Sequence, residues 1–259
     1  MIGTAMMSIE DDVQQLGFFQ DYWENFLHDF WKQFLWTDGY HYTGIAITLW
    51  LLVASVSLGF VFSVPLAVAR VSKRRWISGP VWLYTYVFRG TPLYVQLLLI
   101  YSGMFGLDFV QAHDGLKHFF QEGLNCTILA FALNTCAYTT EIFAGAIRAT
   151  PYGEIEAAQA YGMSKFTALR RIVIPAALRR ALPSYSNEVI LMLHATTVAF
   201  TATVPDILKV ARDANSATYK TFDAYGTAAL IYLSITFILV WLFRRAEARW
   251  LAHLQPRKH

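Results

Sequence analysis

Residues 42–69 run without a single charged side chain. An α-helix rises 1.5 Å per residue, so about 20 apolar residues cross the hydrocarbon core of a bilayer. This run is long enough and predicts a transmembrane helix, in which Pro65 is tolerated as in other membrane helices. Composition agrees, because 56% of the 259 residues are hydrophobic and only 15% are charged, against about a quarter charged in an ordinary soluble domain.

The same composition excludes three classes of protein. A disordered chain combines low hydrophobicity with high charge. A disulfide scaffold needs more than Cys126 and Cys136, which lie together in one apolar stretch. The formal net charge of +3 supplies no basic face for nucleic acid.

Four further apolar stretches follow, at 91–107, 123–147, 189–204 and 224–243. The first of them begins within the sequence Phe88-Arg89-Gly90-Thr91-Pro92. A glycine and a proline beside a charge predict a broken helix there. We therefore predict an all-α, polytopic membrane protein with five transmembrane helices.

The basic residues are distributed unevenly between the segments that join these stretches. If the first span exits into the cytoplasm, cytoplasmic segments hold fifteen of the 21 Lys and Arg residues. These are Arg70, Lys73, Arg74, Arg75, Arg148, Lys165, Arg170, Arg171, Arg179, Arg180, Arg244, Arg245, Arg249, Arg257 and Lys258. The positive-inside rule then predicts a periplasmic N-terminus and a cytoplasmic C-terminus.

The first forty residues do not have the pattern of a signal peptide, because they lack a basic start and a continuous apolar run. Aromatic residues recur at helical spacing within 17–36, which predicts an amphipathic helix. That helix either lies along the membrane interface or packs on the rest of the protein. We divide the chain into an N-terminal interfacial segment, 1–40, a transmembrane domain, 41–245, and a cytoplasmic tail, 246–259.

The longest predicted cytoplasmic loop is 148–183. Its Glu- and Ala-rich start favours a short surface helix, which Gly162 ends. Ser164 is a suitable N-cap for a second helix. On composition alone this is an ordinary helical loop between two spans.

The spacing within this loop suggests something more specific. Glu156-Ala157-Ala158, then Gly162, Ile172 and Ile174-Pro175 resemble the EAA signature of ABC importer permeases. That signature usually ends in Leu-Pro, so Ile174 departs from it.

Other segments extend the resemblance over roughly 35–255. Residues 88–97, 137–147 and 181–188 resemble permeases for polar amino acids. The segments 124–127, 133–136, 191–194 and 243–247 are similar to the M-type membrane subunits of importers for histidine, lysine, arginine and ornithine. The resemblance implies the type I ABC importer permease fold, in a multi-pass protein of the bacterial inner membrane.

The resemblance also implies partners and a coupling site. Such a permease pairs with a homologous Q-type permease, two ATPase subunits and a periplasmic amino-acid-binding protein. Glu156, Ala157, Ala158 and Gly162 would form a coupling helix seated in a groove of the ATPase. The chain has no G-x-x-x-x-G-K-[ST] loop, so we expect ATP and Mg to be bound by the ATPase partner. We find no catalytic constellation and no metal-ligand spacing, and expect a transport subunit rather than an enzyme.

Polar residues inside the spans are candidates for the substrate path, because such residues are costly in a membrane and usually face a partner or a cavity. The candidates are Asn134, Tyr138, Glu141, Asn187, His194 and Thr197. A carboxylate such as Glu141 would suit the cationic side chain of a basic amino acid. The alternative is a structural ion pair of Arg89 with Glu141 or Glu188. Many polar amino-acid permeases carry Lys at the position of His194, which weakens the assignment there.

Two other functions remain open at this point. A secondary transporter would need internal repeats, and we find none. A membrane scaffold without transport activity is the second alternative. Our expectation is a permease subunit that imports basic amino acids with energy from ATP.

Overall fold

In the computed structural model, residues 22–251 are described, apart from the side chains of residues 23–25. This part of the chain is mostly helical, as predicted. Its α-helices are α1 His28–Leu35, α2 Gly44–Arg70, α3 Arg75–Gly90, α4 Leu93–Leu98, α5 Asp108–Gln111, α6 Asp114–Gln121, α7 Gly123–Arg148, α8 Tyr152–Ala160, α9 Lys165–Ala168, α10 Ile174–Ala195, α11 Ile207–Thr218 and α12 Thr221–Trp250. Segments of π-helix occupy Tyr22–Leu27, Leu99–Gly103 and Leu169–Val173, and a 3-10 helix occupies Thr196–Ala202.

Within the described residues, two helices are long and apolar enough to cross a membrane. They are α2, Gly44–Arg70, and α12, Thr221–Trp250, which cover the predicted first and fifth spans. The predicted third span, 123–147, coincides with α7.

The helices around the second predicted span, 91–107, do not share the bounds of that stretch. One helix runs from Arg75 to Gly90, before the stretch 91–107 that we predict to hold most of the span. Thr91 and Pro92 are extended, and the helical run that follows ends at Gly103. The predicted break is therefore present, because the residue before a proline is pushed out of helical geometry. The stretch before it forms a helix of its own.

The stretch 189–204, predicted as the fourth span, begins inside a longer helix. Helix α10 starts at Ile174 and continues through Pro183 to Ala195. The sequence places Asn187 and Glu188 at one end of this predicted span. Glu188 instead lies within the helix, 7% exposed, and accepts a hydrogen bond from the Thr135 hydroxyl at 3.3 Å. A buried carboxylate that has a partner does not need to end a helix.

The chain forms two compact units, and the first contains the described part of Met1–Thr48 together with Pro205–Tyr232. Helices α1 and α11 pack together in this unit. Phe26 and Phe34 are fully buried, whereas Trp31 is 37% exposed. These burials favour packing on the protein over a purely interfacial helix for the described part of 17–36.

The second unit contains Leu49–Val204 and the described part of Leu233–His259. Its centre is α7, which packs against α3, α4 and α10. One core cluster joins Ala67, Phe143, Ala144 and Ala181 from three of its helices. The three alanines of this cluster let the helix backbones approach closely.

Candidate functional site

The break between α3 and α4 is fixed by a glutamine. Gln96 Nε2 donates hydrogen bonds to the carbonyl of Phe88 at 2.8 Å and to the carbonyl of Thr91 at 3.0 Å. Asn134 Nδ2, from α7, donates to the same Phe88 carbonyl at 3.2 Å and to Gln96 Oε1 at 3.1 Å. These bonds satisfy carbonyls that the end of a helix leaves without partners and hold the break against α7.

A cavity of about 410 Å³ opens at this break, and we call it the polar cavity. Its lining comes from the break, from α7 and from α10: Arg89, Gly90, Thr91, Pro92, Leu93, Asn134, Tyr138, Glu188, Leu191, Met192 and Ala195. Asn134 and Tyr138 are two of the six predicted substrate-path residues. The polar cavity therefore brings these two together with one cation and one carboxylate.

The cation of the polar cavity is placed by an aromatic ring. The Arg89 guanidinium carbon lies 5.2 Å from the centre of the Tyr138 ring, within the range of a cation–π contact. Tyr138 Oη also donates a hydrogen bond to the Arg89 carbonyl at 3.3 Å. Tyr138 therefore supports both the side chain and the backbone of Arg89.

The carboxylate of the polar cavity is Glu188. Only 7% of this residue is exposed, and the Thr135 hydroxyl donates to its Oε1 at 3.3 Å. A carboxylate has about four acceptor positions, so Glu188 keeps acceptor capacity for a ligand in the cavity.

The other four predicted substrate-path residues do not line the polar cavity. Glu141 accepts hydrogen bonds from Arg70 and Thr85. His194 Nε2 lies 3.3 Å from Thr236 Oγ1, and Thr197 donates to the His194 carbonyl at 2.7 Å. Asn187 is exposed, in the same helix as Glu188. The alternative of a structural ion pair for Glu141 is present, with Arg70 instead of Arg89 as the cation.

Several lining residues were not proposed from the sequence. At the break these are Thr91 and Leu93, and in α10 they are Leu191, Met192 and Ala195. The break was visible in the sequence as Gly90 and Pro92, whereas the apolar residues of α10 carry no signal that separates them from core residues.

The predicted coupling residues lie on and just after α8. Glu156 and Ala157 are exposed, whereas Ala158 is 2% exposed and faces the chain's own interior. Ala157 is therefore accessible to a partner protein, whereas the side chain of Ala158 is not. Gly162 has φ +76°, a left-handed conformation that favours glycine, and its N–H bonds to the Gln159 carbonyl at 2.9 Å. Ser164 accepts a hydrogen bond from the Thr167 N–H, as predicted for an N-cap.

The start of α8 is tied to α10 by an arginine. Arg180 donates to Thr150 Oγ1 at 2.7 Å and lies 3.8 Å from a carboxylate oxygen of Glu154. Helix α10 thus contacts the coupling loop near one end and lines the polar cavity further along. Among the described residues, no cluster of His, Cys, Asp or Glu is arranged to hold a metal ion.

Residues 59–251 match the family described as binding-protein-dependent transport system inner membrane component. The match covers well over half of the chain. It includes the polar cavity and the coupling loop.

Curated relatives match nearly the whole chain. The histidine/lysine/arginine/ornithine transport system permease protein HisM of Salmonella typhimurium is 63% identical over 92% of this chain and 98% of the relative. HisM of Escherichia coli K12 is 64% identical over 89% of this chain and 97% of the relative. The nopaline transport system permease protein NocM of Agrobacterium fabrum is 44% identical over 82% and 88%.

Solved structures agree with these relatives. A crystal structure of an amino acid ABC transporter with histidines matches with a TM-score of 0.69 and 32% identity, over 80% of this chain and 92% of that chain. The inward-facing MetNI methionine ABC transporter matches with a TM-score of 0.67 over 80% and 94%. Its identity is 16%, so it supports the fold alone. These matches confirm the resemblance that was inferred from the EAA-like loop and the 88–97 segment. The chain belongs to the family of binding-protein-dependent transport system inner membrane components.

Proposed function

We propose that this chain is a permease subunit of an ATP-driven importer for basic amino acids, with histidine, lysine, arginine and ornithine as the substrate class. The observation that carries the proposal is the polar cavity, which presents Arg89 and Glu188 together. Identity of 63–64% to HisM over most of the chain supports the same substrates. A secondary transporter and a scaffold without transport activity are not favoured by these relatives.

The cavity chemistry suits an amino acid with a cationic side chain. A guanidinium such as that of Arg89 binds a carboxylate through paired hydrogen bonds. A buried carboxylate such as Glu188 forms charge-assisted hydrogen bonds to an ammonium, guanidinium or imidazolium group. Asn134 and Tyr138 supply neutral polar contacts beside these charges.

The proposal includes a membrane arrangement. We infer five spans, with a periplasmic N-terminus and a cytoplasmic C-terminus, from the apolar stretches and the positive-inside rule. This orientation puts α8 in the cytoplasm of a bacterial cell, with the protein in the inner membrane. Helices α2 and α12 supply the two spans that length and composition support directly.

The proposed complex contains a homologous Q-type permease, two ATPase subunits and a periplasmic amino-acid-binding protein. Because this chain carries no phosphate-binding loop, ATP and Mg are assigned to the ATPase. Glu156, Ala157 and Gly162 form the surface that the ATPase contacts. Ala158 supports that surface from inside, because its side chain is buried.

Transport then follows from a shift between two states of the permease. An outward-open state accepts the amino acid, and an inward-open state releases it. The two states must differ in their free energy of interaction with the partners, since a ligand that binds both equally shifts nothing. Helix α8 carries the movement of the ATPase to α7 and α10, whose residues line the polar cavity.

Reconstitution tests the proposal. The chain is expressed with a Q-type permease and the ATPase, purified as a complex and placed in vesicles with the binding protein outside and ATP inside. We expect uptake of labelled histidine, lysine, arginine and ornithine that requires ATP hydrolysis.

Two outcomes would overturn the proposal. Uptake that continues without ATP but depends on an ion gradient would identify a secondary transporter. Failure of the chain to co-purify with either partner, and no uptake by the mixture, would support a scaffold. The background control is vesicles that contain both permeases and the ATPase but receive no binding protein.

A further inference from the structure

Outside the polar cavity, side chains from two helices donate hydrogen bonds to the same carboxylate oxygen of a third helix. Arg70 Nε donates to Glu141 Oε1 at 2.5 Å, and Thr85 Oγ1 donates to the same oxygen at 2.8 Å. Arg70 is the last residue of α2, Thr85 lies within α3, and Glu141 lies within α7. We call these three residues the clasp.

The clasp is largely shielded from solvent. The side chains of Arg70 and Glu141 are 20% and 16% exposed, and Thr85 is 2% exposed. Charge-assisted hydrogen bonds are the strong ones in proteins, and a shielded charge that loses its partner is costly. The three helices are therefore expected to move together for as long as the clasp is closed.

The clasp lies one helical turn from the polar cavity on two different helices. On α3, Thr85 precedes the cavity residue Arg89 by one turn, and on α7, Glu141 follows the cavity residue Tyr138 by one turn. Residues at these spacings lie on the same face of a helix. Arg89 with Tyr138 and Thr85 with Glu141 thus form two successive layers between α3 and α7.

Beyond the clasp, α7 leads to the coupling loop. The helix continues from Glu141 for about two turns and ends at Arg148, and α8 begins at Tyr152. The clasp therefore stands between the cavity and the loop on the helix that joins them.

Helix α2 approaches α7 closely at a second point. A Cβ built on Gly59 would lie 2.5 Å from the Thr135 methyl carbon and 3.2 Å from the Cys136 nitrogen. Gly59 and Arg70 are about three turns apart, on the same side of α2. Both contacts lie on one side of α2, and Ala67, between them along the helix, shares a core cluster with Phe143 and Ala144 of α7. Loss of the clasp would remove the hydrogen bond that holds the Arg70 end of α2 to α7.

We infer that the clasp is a positioning device for transport: Arg70 and Thr85 hold Glu141 so that displacement of α7 at the coupling loop moves α2 and α3 and reshapes the polar cavity. This inference rests on the proposed function. It assigns Glu141 to coupling between the two sites, in place of contact with the substrate.

The test compares the reconstituted complex containing Arg70→Gln, Glu141→Gln or Thr85→Val with the unmodified complex. Uptake and ATP hydrolysis are measured in the same vesicles. For Arg70→Gln and Glu141→Gln we expect the ATP consumed per amino acid transported to rise about tenfold, within the usual range of coupling between sites. For Thr85→Val, which removes one neutral hydrogen bond, we expect a rise of about threefold.

Two further variants separate positioning from general structural support. Exchange of the charges, Arg70→Glu with Glu141→Arg, is expected to recover much of the coupling that either single change removes. Arg74→Gln removes a nearby exposed positive charge and is expected to leave the ratio unchanged. Assembly of each complex is verified by size-exclusion chromatography, and Thr85→Val, a change of similar volume, serves if a charge variant fails to assemble.

Three results would overturn the inference. The first is an unchanged ratio of ATP to transported amino acid in Thr85→Val and in every charge variant that assembles. The second is a higher KM for uptake with unchanged coupling in Glu141→Gln, which would place Glu141 in contact with the substrate. The third is a double variant no better coupled than the singles. An unmodified complex that hydrolyses ATP without uptake would instead overturn the proposed function.

Discussion

The Arg89 guanidinium lies over the ring of Tyr138, with 5.2 Å between the guanidinium carbon and the ring centre. Arg89 lies at the end of α3 and Tyr138 lies in α7, so the contact joins two walls of the polar cavity. Tyr138 also donates to the Arg89 carbonyl. One aromatic residue thereby positions the arginine that lines the polar cavity.

Replacement of Tyr138 tests this contact. Tyr138→Ala removes the ring together with its hydroxyl, and a cation–π contact to an exposed arginine contributes about 0.5–1 kcal/mol. We therefore expect KM for uptake to rise more than in Tyr138→Phe, by a further factor of about five at most. Tyr138→Phe removes only the hydroxyl and is expected to raise KM about fivefold at most. Equal effects of the two variants would contradict a role for the ring. The measurement is the concentration dependence of uptake.

Replacement of Glu188 tests the carboxylate of the cavity. Glu188→Gln keeps an acceptor for Thr135 but removes the negative charge, so affinity for basic amino acids should fall about tenfold or more. Glu247→Gln is the matched control, because Glu247 accepts from Ser186 and does not line the polar cavity. Direct binding of labelled arginine to the purified complex measures the change. Equal affinity in both variants would remove Glu188 from the proposed site.

The turn after α8 depends on Gly162. Its φ of +76° is strained for any residue with a Cβ, so Gly162→Ala is expected to cost about 1–2 kcal/mol locally and to raise the ATP consumed per transported amino acid. Gly153→Ala is the control, because Gly153 lies within α8 and a Cβ there meets open space. Helix propensity predicts that this control is neutral or stabilising. An unchanged amount of ATP consumed per transported amino acid in Gly162→Ala would show that transport does not depend on this turn.

A second glycine is required by packing at the start of α7. A Cβ on Gly123 would lie 1.9 Å from the carbonyl oxygen of Ala202. Gly123→Ala must therefore displace the backbone at one of these two residues. We expect a lower thermal unfolding temperature for the purified complex. Gly145→Ala, in the same helix with nothing within 4 Å of the added Cβ, is expected to leave it unchanged or higher. A temperature unaffected by Gly123→Ala would contradict the close contact.

The buried carboxyl of Asp206 is expected to make the free energy of unfolding depend on pH. Burial raises the pKa of this carboxyl to about 6, although the N–H groups of Leu208 and Lys209 donate to it and lower the pKa. The ordinary pKa of an aspartate carboxyl is 3.8. Between these two values the folded state binds more protons than the unfolded state, so the free energy of unfolding falls as pH rises. The contribution is lost above about pH 6 and amounts to about 3 kcal/mol at most.

Asp206→Asn removes this titration and keeps an N-cap side chain. Thermal unfolding of the purified complex from pH 4 to pH 7 should show a smaller decrease for the variant than for the unmodified protein. Asp213→Asn is the control, because Asp213 is exposed and pairs with Lys209 on the same helix. Identical slopes for Asp206→Asn and the unmodified protein would assign the pH dependence to other groups.

The local features of the fold could be predicted from the sequence. The uncharged stretch 42–69 became α2, the glycine and proline after Arg89 broke the helix, and Gly162 and Ser164 ended one helix and began the next. Each depends on conformational preferences within a few residues. That α10 continues through Glu188 could not be predicted, because local polarity at Glu188 gives no sign of a partner 53 residues away.

The site shows the same division. Its chemistry could be anticipated, since costly ionisable residues inside apolar stretches are few. The structure alone decided that Arg89 and Glu188 share the polar cavity while Glu141 pairs with Arg70, 71 residues earlier in the chain.

By itself, then, the sequence determined a mostly helical membrane protein, the break after Arg89 and the EAA-like loop that indicates its family. Those properties follow from apolar run length and from backbone preferences, which act over short distances along the chain. Only the tertiary structure decided which polar side chains meet. The reason is that such meetings depend on where α2, α3 and α10 cross α7, and the crossings are set by close packing at small residues such as Gly59, Ala144 and Ala181.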